Sequence, residues 1–171
     1  MSSYSKLIIF IVFLVLISAA IVLIDSSVDS INKTMPEISD AIVAGDSDYN
    51  EAVQLVNDKN YVESMSKAIS AGDNYNASLK KLESIQSNYS SDINDVQNEY
   101  IDTVINELEY KLSAVDKLKE AIECFEVNSN YTGTSYASQA NDLIYEAVGY
   151  QNQRDTIVKD NPNLFKENFI I

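Results

Sequence analysis

Four carboxylates, Asp92, Asp95, Glu99 and Asp102, step along the chain by 3, 4 and 3 residues, which sets them on one stripe of a helix. Paired carboxylates can hold a metal ion or divide acid and base work between them. A di-iron bundle, however, requires Glu-x-x-His from facing helices, and this chain contains no histidine. Glycoside hydrolysis requires two carboxyl groups across a cleft, and one stripe supplies no opposing wall. The stripe therefore reads as a solvated face, and its sharper reading is a contact surface for a basic partner.

A second string, Asp46-Ser47-Asp48-Tyr49-Asn50, matches the opening of a calcium loop, where alternate oxygens converge on one ion. The match ends at Glu51, where the sharp turn needs Gly, and at Asn57, where a bidentate Glu should close the shell. The string is expected to be a polar loop whose acids cap the following helix. With no histidine, the commonest general base and the commonest metal ligand are both missing. The single cysteine, Cys124, sits between Ile122 and Phe125 in a helical pattern and reads as a buried structural thiol. No catalytic residue, cofactor or metal set is expected, and enzyme activity ranks third among the functional readings.

The elements that would carry these residues begin with an apolar run. Leu7 to Ile24 holds eighteen residues without a charge, long enough to cross a bilayer core of about 30 Å at about 1.5 Å per residue. It reads as a signal-anchor helix over 7–24, preceded by a short cytoplasmic N-terminus, 1–6, that carries Lys6. The rival is a cleaved signal peptide, since Ser18-Ala19-Ala20 resembles a cleavage site; the apolar IVLI beyond it favours an uncleaved anchor. The expected location is a cell membrane, single-pass, with the C-terminal domain outside the cytoplasm. Sequons at Asn32, Asn76, Asn88 and Asn130 are possible glycosylation sites of such a domain. The net charge of −14 repels phosphate backbones, so nucleic acid is not expected as a partner. The bilayer through 7–24, and a protein partner or a second copy, are.

Beyond the run, apolar residues recur at helical spacing and no alternating strand pattern persists. The fold class is all-α: the N-terminal transmembrane helix followed by an antiparallel helical bundle with coiled-coil-like packing. A juxtamembrane helix over 25–44 carries Val28, Ile31, Met35, Ile38 and Ile42, with a break or kink near Thr34, where Thr34-x-x-Glu37 reads as a capping box around Pro36. Gly45 reads as its C-cap, and the bundle spans 45–160. Asn-Tyr recurs every fourteen residues at 60, 74 and 88, giving one register through Tyr61, Met65, Ala68, Gly72, Tyr75, Leu79, Leu82, Gln86, Tyr89, Ile93, Val96 and Tyr100. The echo of AIVAGD in AISAGD marks a second helix stop at Gly72. A long helix follows from Ile93 to Phe125, with Glu107 and Lys111 paired on its exposed face. Asn128 to Ser135 is a loop, and a last helix with Ala140, Ile144, Ala147, Gln151, Arg154 and Val158 on its seam stops before Asn161-Pro162. The apolar tail, 161–171, packs back on the bundle and is too short for a second span.

This layout resembles the sensory ectodomains of chemoreceptors and histidine kinases, although such receptors return through the membrane to an output domain. The resemblance implies a ligand-binding module signalling through a separate membrane partner, which is the second functional reading. The first is a non-enzymatic surface or envelope protein acting through protein contacts.

Overall fold

A computed structural model describes residues 21–165. Four helices make up nearly all of it: α1 (Asp29–Asn57), α2 (Tyr61–Tyr89), α3 (Asp95–Glu126) and α4 (Asn130–Asp160), followed by a 3-10 turn over Pro162–Leu164. Each helix turns back on the one before, and the closest pairings are α3 with α4, α1 with α2, and α2 with α3. The all-helical antiparallel bundle is the architecture that the helical spacing predicts. Among the described residues no helix is long and apolar enough to cross a membrane. Residues 7–20 of the anchor lie outside the described residues, as do residues 166–171 of the tail.

The helix boundaries differ from the expected ones, and the differences share a cause. α1 runs without a break through Thr34, Pro36 and Gly45, so 25–44 and the start of the bundle form one helix and the capping box at Thr34 is not used. Its buried residues, Ile31, Met35, Ile38, Ile42, Asp46, Tyr49, Val53 and Val56, keep stepping by 3 and 4 past the expected stop. Gly45 ends nothing. A Cβ there would sit 2.6 Å from Cε1 of Tyr75, so the glycine lets a ring from α2 lie against the α1 backbone. Gly133, expected at the centre of a loop, lies in the first turn of α4, where an added Cβ would come 2.6 Å from Cε1 of Phe125. Gly72 lies inside α2, with Val115 of α3 packed closely over it. These glycines serve close packing between helices, and none has positive φ.

The real turns are made by other residues. Lys59 and Asn128 adopt left-handed φ of 61° and 60°. At the first, Asn60 N–H donates to the Leu55 carbonyl at 2.8 Å; at the second, Ser129 N–H donates to the Cys124 carbonyl at 2.8 Å. Both are Schellman closures with the left-handed residue just past the cap. The third turn ends at Asn94, whose side chain accepts from Gln97 N–H at 2.9 Å while the Gln97 side chain accepts from Asn94 N–H at 3.1 Å. This capping box starts α3 and breaks the register expected to run on from Tyr89 to Tyr100.

Within α2 the buried face is Ser64, Ala68, Ala71, Tyr75, Ser78, Leu82 and Ile85, again in steps of 3 and 4. It is rotated from the expected seam, so Met65 and Leu79 pack only partly buried at its flank. Small residues hold the face because α1 comes close: Ser64 Oγ donates to the Ala52 carbonyl at 2.7 Å. Cys124 is a free, half-buried thiol rather than a buried one.

Candidate functional site

The charged residues of greatest chemical interest are inside. Asp46 of α1, Tyr75 of α2, Glu107 and Lys111 of α3 and Arg154 of α4 meet in the middle of the bundle, each at most 1% exposed. All four helices contribute. Lys111 Nζ donates to Asp46 Oδ1 at 2.9 Å and Oδ2 at 3.2 Å, and the Tyr75 hydroxyl donates to Oδ1 at 2.7 Å. On its other side Lys111 Nζ lies 2.7 Å from Glu107 Oε1, one turn earlier on the same helix, and Glu107 Oε2 lies 3.1 Å from Arg154 Nη1. The chain of charges thus alternates, Asp46, Lys111, Glu107, Arg154, and sums to zero. Lys111 Nζ also stands 5.5 Å from the Tyr75 ring centroid, which favours the cation.

Electrostatics follow from this enclosure. Burial raises the Asp46 carboxyl above its ordinary value, against the pull of Lys111 and the Tyr75 hydrogen bond. Burial opposes the charge on Lys111, yet Glu107 and Asp46 together outweigh it and hold the ammonium above its ordinary value. Tyr75 is pushed well up, first by burial and then by the Asp46 charge. Nearby Tyr49 is raised by burial alone, and among the described residues its hydroxyl has no hydrogen-bond partner. The Glu107 oxygens and the Arg154 guanidinium likewise meet no partner in hydrogen-bonding geometry, so their contacts are charge contacts. The arrangement is closed to solvent and links side chains from all four helices.

The sequence-derived sites lie elsewhere. Asp92, Asp95, Glu99 and Asp102 are all exposed; Asp92 is in the turn before α3, and Asp102 accepts from Gln86 Nε2 at 2.6 Å. The calcium-like string is helical rather than looped, which turns its acids apart: Asp46 faces the cluster, while Asp48 accepts from Lys67 at 3.0 Å and Ser70 at 2.6 Å. Of the sequons, Asn76, Asn88 and Asn130 are exposed, and the half-buried Asn32 amide donates to the Ser26 carbonyl at 2.6 Å. Glu107 and Lys111 do pair, but on the buried face, which corrects the exposed pairing expected from their spacing. One signal for the cluster was present: Arg154 occupies a seam position among Ile144, Ala147 and Val158. Continuing the α1 spacing past Gly45 finds Asp46 in the same way.

The clefts lined by described residues are open to solvent. One of 340 Å³ lies between α1 and α2, lined by Glu37, Lys80, Lys81, Ser84 and Tyr89 among others. Comparison with protein-family models, with curated proteins and with solved structures finds no match for this chain.

Proposed function

We propose that this is a non-enzymatic protein of the cell surface or envelope, carried across a membrane by its apolar N-terminal run and acting through protein contacts. The observation that supports this reading is the division of charge. Among the described residues, the buried charged groups Asp46, Glu107, Lys111 and Arg154 all belong to the sealed cluster, while the exposed acids on the turn before α3 and its first turns face water. Chemistry kept inside serves the fold; an acidic face kept outside serves recognition, through steering of a basic partner. The 3-and-4 spacing of the buried α2 positions supports the coiled-coil-like packing expected of such a module.

Crosslinking in intact cells, followed by identification of the attached protein, tests the proposal. The native chain should capture a protein with a basic surface, and a variant carrying D92N, D95N, E99Q and D102N should lose that crosslink while keeping its helicity. Equal capture by both chains would sink the assignment of this face.

A further inference from the structure

The last residues of the apolar N-terminal run belong to the folded domain. Residues 21–25 are not helical. The Val22 carbonyl accepts from the Tyr100 hydroxyl at 2.9 Å, Ile24 pairs with Phe165 in an antiparallel bridge, and Asp25 N–H donates to the Leu164 carbonyl at 3.0 Å. Gln97 Nε2 closes the junction by donating to the carbonyls of Asp25 at 2.9 Å and Leu164 at 3.3 Å. The side chains follow the backbone inward, with Ile21 and Ile24 at 1% and 0% exposure, and the Phe165 ring lies 4.9 Å from that of Tyr100.

A segment held in this clasp cannot also form the last turn of a membrane helix, because it is not helical, the Val22 and Asp25 carbonyls accept hydrogen bonds from the bundle, and Ile21 and Ile24 are buried in its core. What remains for the bilayer is Leu7 to Ala20, fourteen residues. As a helix they cover about 21 Å, against a hydrocarbon core of about 30 Å. Extending the run upstream brings in Lys6. The same length falls within the range of about 7–15 residues for the apolar region of an export signal. Its end carries Ser18 and Ala20 at the third and first positions before the Ala20–Ile21 bond, where a processing peptidase accepts only small side chains.

We propose that the Ala20–Ile21 bond is a processing site, cut by a signal-removing peptidase during export, so that the mature protein begins at Ile21. The cut is a hydrolysis: the oxygen of water joins the Ala20 carbonyl carbon, the C–N bond breaks, and the products are an Ala20 carboxylate and an Ile21 ammonium. It takes place on the emerging chain, before the clasp buries Ile21. The inference rests on the export reading above, and reverses the expectation of an uncleaved anchor.

The test uses the full-length chain in a host with an intact secretory pathway, with intact mass and N-terminal sequencing of the accumulated protein. The expected product starts at Ile21 and leaves the membrane on alkaline carbonate extraction, and a Ser18→Leu/Ala20→Leu chain retains residues 1–20. Both substitutions lie outside the described residues. A native chain that keeps its N-terminus, resists extraction and is digested by protease added outside intact cells overturns the processing site and leaves export standing. A chain that keeps its N-terminus and is protected from that protease overturns both.

Discussion

Helix α3 carries charge on two faces, and the two faces could hardly differ more. Asp95, Glu99 and Asp102 project from one into solvent, while Glu107 and Lys111, a turn or two further on, lie on the other, within the bundle. Both sets are charged residues at helical spacing, three carboxylates outside and a carboxylate with an ammonium inside. On the outer face a carboxylate keeps its hydration and contributes little to folding. On the inner face the hydration is lost, and each charge is tolerable only because the next one along, from Asp46 to Arg154, replaces it. The value of a charged residue in this protein is set by its side of the helix.

Removing the central cation should show this most strongly. Lys111→Met leaves Asp46 and Glu107 buried without their shared partner, and a loss of about 3–5 kcal/mol is expected in urea unfolding. A loss below about 1 kcal/mol would mean that the cluster is hydrated.

Alkaline pH should weaken the same region without mutation. Lys111 keeps its proton above its ordinary 10.5, and Tyr75 and Tyr100 keep theirs above 10.0, chiefly through burial in the case of the tyrosines. Stability from these groups is fully present below those values. As pH rises through them the unfolded chain sheds protons that the folded chain still binds, so stability falls. Asp46, also raised, has the same sign in acid, losing its contribution as pH climbs from about 3.8. A melting temperature that fell steeply above pH 10 would agree; one that was flat to pH 11.5 would not.

The inside-outside contrast extends to glycine. Gly45→Ala thrusts a methyl group into the Tyr75 ring beside Asp46 and should cost about 1–3 kcal/mol, despite the better helix propensity of alanine. At Gly149, where an added Cβ meets nothing within 4 Å, the same change should stabilise the protein by about 0.5–1 kcal/mol. Thermal melts of the two variants moving in the same direction would break the comparison. The smallest effect is expected on the outer face, where Asp95→Asn and Glu99→Gln should each change stability by no more than about 0.5 kcal/mol in the same unfolding experiment.

What the sequence conveyed about this bundle depends on whether the cause was local. Apolar spacing is local, so the seams of α3 and α4 and the stop before Asn161-Pro162 were legible. Gly45 and Gly133 were misread because their purpose lies in rings contributed from elsewhere in the bundle, Tyr75 and Phe125. The Glu107–Lys111 pair was misplaced because an i,i+4 spacing looks the same on either face; only their position between Val104, Leu108 and Val115 decides it. The junction of residues 21–25 with Phe165 joins the two ends of the described chain, and no window of sequence contains both.

That junction also sets an order in time. The α1–α2 and α3–α4 pairs close across turns of three residues each and can form early, whereas bringing Ile24 to Phe165 closes a loop containing nearly the whole bundle. The clasp should therefore form last and release first, so that the amide hydrogen of Asp25 exchanges through a local opening while those in the middle of α3 wait for the whole molecule to unfold.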